Sequence, residues 1–260
     1  MSIPNKFKYR SVYHFTHLEN LPNILKHGLL STNEMDRRGL SHNVIAYSGI
    51  QDRRADMDVT CGLKGKVHDY VPLYFCVRSP MLLAVVNNKI ADEQCIIYLE
   101  FPISIMDKYP FVFTDASANT TVPPNFFDSP EKLDKIDWDA IETWKWGKKH
   151  DEFGQTPVKQ AKMAELLIHK HVDPSDISKI IVWNDYFAGL VKKIYKKKNI
   201  KVPPITFGGR DYYYIDNKRP PVTGPYFIKK AYQETIEEVL TNIGEASNPV
   251  SYTHLTLPTN

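Results

Sequence analysis

Cysteine is scarce in this 260-residue chain, which holds only Cys61, Cys76 and Cys95. Their number is odd and none sits in a C-x-x-C pair, so a disulfide framework or a structural zinc site is not expected, and a reducing cytoplasm suits the chain best. Long apolar runs are missing as well. The best of them, such as Met81–Val86, falls far short of the roughly 20 residues that cross a bilayer. Met1–Arg10 is polar and basic without an apolar h-region, so no secretory signal is expected. Glycine motifs are absent too: Gly208-Gly209 stands before a strand-like run without a G-x-G-x-x-G context, and no P-loop spacing occurs. Nor does one sign of charge dominate. Lys and Arg number 33 against 30 Asp and Glu, a formal net charge of +3. A polycation is excluded, and nucleic-acid contact would have to come from a local surface.

What is present is a globular composition, 42% hydrophobic and 24% charged, enough to pack one large domain or one domain with an appendage. Aromatics are abundant, with 15 Tyr, 12 Phe and 4 Trp, for a core and for stacking on bases. Val12–Thr16 predicts a strand, and Leu21, Ile24 and Leu25 predict a helix that Gly28 stops. Asn33–Ile50 reads as a loop with one helical turn, and Gln51–Val67 as a long surface loop. Strands are expected over Tyr70–Cys76, Cys95–Phe101, Phe111–Thr114, Ala164–His169, Ile177–Trp183 and Asp211–Ile215. Helices are expected from Ser79-Pro80 through Val86, over Asp137–Trp146 and over Asp185–Lys198, the last with an apolar stripe of Phe187, Leu190, Val191 and Ile194. Strands and helices mix without regular alternation, which makes the fold class α+β. Lys192, Lys193, Lys196, Lys197, Lys198 and Lys201 form either a solvated helix face or a phosphate-contacting one.

Five segments carry candidate chemistry. His14 and Thr16 share one face of a strand and can both bond a ligand, although an ordinary edge-strand histidine explains the first equally simply. Arg53-Arg54 is either solvated or supplies a guanidinium clamp for a diphosphate or carboxylate. His68-Asp69 enters a strand, where adjacent residues face opposite ways, so no dyad follows. Phe111–Thr114 runs into Asp115, a strand end fit for ligand chemistry or for turn capping. Glu165 stands among Ala164, Leu166, Leu167 and Ile168, where a carboxylate is costly to bury unless paired or used. An outward-facing strand glutamate is the alternative.

Taken in order, these pieces resemble the DarT family of DNA ADP-ribosyltransferase toxins. The matching stretches are His14–His17 with the Asn20–Leu25 helix and Gly28-Leu29, Arg54-Ala55, His68–Phe75, Ser79–Leu82, Pro110–Asp115, Ile136–Trp138 and Ala164-Glu165, within roughly Lys8 to Asp216. The resemblance implies an ADP-ribosyltransferase fold over 1–216, with a split central β-sheet and an NAD cleft. It leaves 217–249 as a helical extension and 250–260 as a non-native or disordered tail. It implies NAD as co-substrate and no metal. Glu165 and Arg54 would be catalytic, and His14, Thr16, Asn23 and Arg54 would hold NAD. Tyr70, Arg78 and Ser117 would contact DNA. The implied acceptor is a base in single-stranded DNA, thymine, with guanine or RNA and tRNA as alternatives on the same fold. A non-catalytic nucleic-acid-binding module is the alternative of another class. A cytoplasmic monomer opposed by a DarG-like macrodomain antitoxin completes the expectation. One departure stands out: the family pattern places a His after Phe-Thr-Asp, before an Ala, and this chain has Ser117 there, so the choice of base turns on that loop.

Overall fold

Apolar strand runs and short capped helices are interspersed along the chain, and the computed structural model describes residues 2–40, 48–88, 90–118, 123–144 and 158–214, with 48–50 as backbone only. The strands are β1 (Ser11–His17), β2 (Leu29–Leu30), β3 (Tyr70–Tyr74), β4 (Ile96–Pro102), β5 (Phe111–Thr114), β6 (Phe126–Phe127), β7 (Glu165–His169), β8 (His171–Val172), β9 (Lys179–Val182) and β10 (Ile205–Phe207). The helices are α1 (Leu21–His27), α2 (Thr32–Arg37), α3 (Ser48–Asp56), α4 (Pro80–Asn87), α5 (Trp138–Glu142), α6 (Val158–Ala161), α7 (Asp185–Lys198) and α8 (Gly209–Tyr212). The main sheet runs β10-β9-β4-β1-β3-β7-β5-β6, and β2 pairs separately with β8.

The sheet is nearly two sheets. β1 pairs with β4 along its whole length, from Ser11 opposite Pro102 to His17 opposite Ile96, and β3 pairs with β7 from Tyr70 opposite His169 to Tyr74 opposite Glu165. Between β1 and β3 only Tyr13 and Tyr74 pair. Pro72 supplies a physical reason. Its carbonyl faces β1, where the His14 ring nitrogen Nδ1 lies 3.0 Å away. In an antiparallel ladder N and O of one residue point to the same neighbour, so the donor that proline lacks is one β1 would have used. The strands therefore diverge, and the split opens a cleft.

Apolar clusters fix both halves. Phe15, Tyr74, Met81, Leu82, Val85, Ile96, Tyr98, Ile181, Tyr213 and Tyr214 pack on one another, placing α4 over the junction of the halves. Ser79 caps α4 by accepting from the Leu82 N–H at 3.2 Å, and Pro80 supplies its first turn. In α7, Phe187, Ala188, Val191 and Tyr195 are buried while the terminal lysines are exposed. Asn184 caps that helix, accepting from the N–H groups of Tyr186 and Phe187. α1 ends at Gly28, whose φ of +89° favours glycine and whose hypothetical Cβ would meet the Val172 carbonyl at 3.2 Å.

Several expectations need correction. The one helical turn expected in the loop from Asn33 is α2, which starts at Thr32 and which Ser31 caps by accepting from Glu34 N at 3.3 Å. The Ser-x-x-Glu pattern at Ser31 was a legible helix start. Arg53 and Arg54 lie not in a surface loop but on α3. Asp211–Ile215 is not a strand in its described part: Asp211 and Tyr212 belong to α8, and the buried Tyr213 and Tyr214 use their hydroxyls on the carbonyls of Ile96 and of Arg78 and Ser79. A tyrosine run favours a half-buried surface, and here core packing claims it without a ladder. β10, parallel to β9 and reached through α7, was missed because its three residues are mostly exposed and carry no alternation. The expected segments 217–249 and 250–260 lie outside the described residues. Among those described, no helix is long and apolar enough to cross a membrane.

Candidate active site

β7 begins at Glu165, beside the end of β3 at Tyr74 and the end of β5 at Thr114. Glu165 is only 1% exposed. Its backbone N–H donates to Thr114 Oγ1 at 3.2 Å, and the same hydroxyl donates to the Ala116 carbonyl at 2.8 Å. Thr114 thus fastens the strand at the carboxylate. Opposite stands Arg54, 6% exposed, whose Nη1 donates to Glu165 Oε1 at 2.5 Å and Nη2 to Oε2 at 3.0 Å. Such a planar two-point pair is the form in which buried charges are tolerated. Burial works against the Arg54 charge, but the Glu165 carboxylate outweighs it and raises the arginine above its ordinary pKa. Burial and then Glu165 push the Tyr74 phenol well above its usual range, so it stays neutral.

A cleft of about 500 Å³ opens at the sheet split. It is lined by His14 and Thr16 of β1, Asn20 and Asn23 at and on α1, Arg54 of α3, and Tyr70, Pro72 and Tyr74 of β3. That volume lies within the ~300–1,000 Å³ range of cofactor pockets. The carbonyl of Pro72 can only accept, so His14 Nδ1 carries the proton toward it. Thr16 Oγ1 accepts from Asn20 Nδ2 at 3.0 Å. Asn20 is buried, whereas Asn23 is exposed on the cleft wall. His68 also lines the cleft, and its Nε2 lies 3.1 Å from Gln51 Oε1 on α3. Burial first, then the Arg54 guanidinium, hold His68 below the usual imidazole pKa.

The structure thus gathers His14, Thr16, Asn23 and Arg54 around one cleft, with Glu165 bonded behind Arg54. The remaining expected positions fall at its margins. Tyr70 lines the wall but is 2% exposed, its hydroxyl donating to the Lys64 carbonyl at 2.7 Å. Ser117 is buried just past Thr114. Arg78 lies outside the cleft, four residues beyond the end of β3. Asp115 bonds across to Asn125, just before β6, accepting from its backbone N–H at 3.0 Å and its Nδ2 at 2.6 Å. Sequence reasoning placed Thr114 at a strand end fit for ligand chemistry and gave no role to Gln51 or Pro72. The proline inside a strand run was the one signal present. Among the described residues, no group of three or more His, Cys, Asp or Glu could hold a metal ion.

Comparison with known proteins gives one answer. The family model described as "ssDNA thymidine ADP-ribosyltransferase, DarT" matches residues 13–214. A DNA ADP-ribosyl transferase of Thermus sp. is 34% identical over 209 residues, 78% of this chain and 95% of that one. A Thermosipho africanus fusion of DNA ADP-ribosyl transferase and DNA ADP-ribosyl glycohydrolase is 28% identical, over 76% of this chain and 48% of its own length. Among solved structures, Thermus sp. DarT with ADP-ribosylated single-stranded DNA superposes at a TM-score of 0.70 and 31% identity, covering 82% of this chain and 99% of that one. The same protein with NAD+ superposes at 0.65 and 28% identity, covering 82% and 100%.

Proposed function

The chain belongs to the DarT family of single-stranded-DNA thymidine ADP-ribosyltransferases, and from that premise we propose that it transfers ADP-ribose from NAD to thymine with Glu165 and Arg54 as its catalytic residues. The observation that carries this reading is the two-point Arg54–Glu165 pair beside a cleft lined by His14, Thr16 and Asn23. Those three polar side chains and the cleft's volume fit NAD. When bound, NAD supplies an ADP-ribosyl group whose bond to nicotinamide breaks with positive charge building on the ribose. Glu165 stabilises that charge as a fixed carboxylate in a site sheltered from water. Thr114 holds it in place through its backbone. His14 and Thr16 hold the cofactor along β1, and Asn23 holds it from α1. The acceptor releases its ring N–H proton to solvent as nicotinamide leaves and its nitrogen bonds the ribose, and Arg54, charged and rigidly held, favours the anion formed on the way. Substrates must then share or displace the Arg54–Glu165 contact, because Arg54 lines the cleft and Glu165 does not.

The test is transfer from NAD to single-stranded oligonucleotides, read by mass spectrometry that locates the modified base. Glu165→Gln suits it better than Glu165→Ala, which would leave a buried guanidinium facing nothing. Loss of transfer in a folded Glu165→Gln protein is expected, and undiminished transfer would overturn the assignment. Oligonucleotides offering thymine, guanine or RNA bases separately decide the acceptor and probe the Ser117 loop. We also propose a partner that removes ADP-ribose from DNA. The Thermosipho relative, which carries both activities in one chain, supports that reading. Coexpression with such a glycohydrolase should restore growth to cells that the active chain arrests.

A further inference from the structure

The His68-Asp69 step holds two helices at once. It closes the single turn Val67–Asp69 that leads into β3. Neighbouring side chains there face opposite ways, and each finds a different helix. His68 Nε2 lies 3.1 Å from Gln51 Oε1 on α3, and Asp69 Oδ1 accepts from Asn33 Nδ2 on α2 at 2.8 Å. The other carboxylate oxygen of Asp69 accepts from the Lys66 backbone N–H at 2.7 Å. The preceding loop is shaped to that oxygen: Gly65 has φ of +88°, and a Cβ there would meet Asp69 Oδ2 at 2.6 Å. The Asp69 backbone is tied as well. Its carbonyl accepts from the Lys170 N–H at 2.8 Å, and the Lys170 carbonyl accepts from the Ser31 N–H at 2.7 Å. Lys170 has φ of +65°, a left-handed conformation that a lysine keeps only where its surroundings fix it.

This joint orients α2. The helix has six residues, and isolated helices shorter than about 12–15 residues are marginal in water, so its place depends on what it is tied to. Glu34 stiffens it from within, accepting from Arg37 Nε and Nη2 at 2.9 and 2.6 Å and from Arg38 Nε at 2.6 Å. The helix therefore moves as one piece, and the Asn33–Asp69 and Ser31–Lys170 bonds hold its first turn. Thr32, Met35 and Asp36 of α2 line the same cleft as His14, Thr16 and Asn23. Asn33 and Asp69 do not line it, so they can reach a ligand there only through the wall they hold.

We propose that Asp69 is a positioning residue for NAD, acting through Asn33 to set the wall that α2 gives the cleft. The inference rests on the transferase reading above. Its test is NAD affinity of the full chain, measured by isothermal titration calorimetry, beside steady-state transfer to a thymine-containing oligonucleotide. Asn33→Ala removes the bond and should weaken NAD binding about threefold. Asn33→Asp sets two carboxylates against each other at the joint and should weaken it about tenfold. Asp69→Asn added to Asn33→Asp re-forms the bond with donor and acceptor exchanged, and the new amide oxygen still accepts from Lys66. That swapped pair should return NAD affinity to within about twofold of the parent. The KM for NAD should follow the same order, while kcat at saturating NAD and the KM for the oligonucleotide stay within about twofold. A mere loss of folded protein would instead lower kcat and leave both KM values alone. Unchanged NAD affinity in Asn33→Asp, or no recovery in the swapped pair, would overturn the positioning role. A parent that binds NAD but modifies no oligonucleotide would overturn the transferase reading instead, with the NAD affinities still deciding the role of Asp69. A parent that binds no NAD would overturn both.

Discussion

Arg54 and Arg78 both stand at the end of the sheet where Glu165 begins β7, and their surroundings are opposite. Arg54 is buried against a carboxylate that takes both of its terminal nitrogens. Arg78 lies over the rings of Trp144 and Tyr214, at 4.7 and 4.3 Å, and meets no side-chain acceptor among the described residues. The first charge is neutralised where it stands, which makes its place dependent on Glu165 and its release a matter for substrate. The second is held by apolar faces and left to act outward. Equal residue types at one site can thus be assigned different work by asking which of their donors are already used.

The largest effect expected on this contrast comes from Glu165→Gln, which removes the carboxylate but keeps an acceptor for Arg54. Transfer should fall by roughly 10²- to 10³-fold, as when a single preorganised stabilising group is lost, with the far-ultraviolet circular dichroism unchanged. Next comes stability. Arg54→Ala leaves the Glu165 carboxylate buried and unpaired and should cost about 3–5 kcal/mol in urea unfolding. Arg78→Ala loses two ring contacts at about 0.5–1 kcal/mol each and should cost about 1–2 kcal/mol. Equal losses would break the comparison. Smaller again is Thr114→Val, which removes the hydroxyl that fastens Glu165. It should cost about 1 kcal/mol and lower kcat more than the KM for NAD.

The smallest effect concerns pH. Burial and Arg54 depress the His68 pKa in the folded state, so below the unfolded value of about 6.5 the unfolded chain binds more protons. Stability from this residue is complete above that pH and is lost as pH falls through the folded value. His68→Gln should flatten the stability–pH curve below about 6.5, measured by urea midpoints, and leave it unchanged above. A parallel displacement of the whole curve would remove His68 from the account.

Much of the sheet was legible because its strands are buried apolar runs bounded by turn residues: Phe111–Thr114 and the helix Asp185–Lys198 begin and end as their patterns indicate. Expectations failed where local pattern was weak or was overruled. α3 has no apolar stripe, so Arg53 and Arg54 looked alike. Helical geometry separates them, leaving Arg53 exposed and Arg54 buried. The tyrosines at 212–214 read as a strand because they favour half-buried surfaces, and they pack instead over Tyr98 and Arg78.

By itself the sequence determined the α+β class, the order of the collinear motifs and the presence of a costly acid at Glu165, since each is a matter of spacing and of local burial pattern. Tertiary structure alone decided that Glu165 meets Arg54 across 111 positions of chain. It also decided that the N–H missing at Pro72 opens the sheet between β1 and β3, and that Arg78 finds rings in place of a carboxylate. The physical reason is the same in each case: a charge acquires its role from the partners that surround it, and those partners come from strands and loops far apart in the chain.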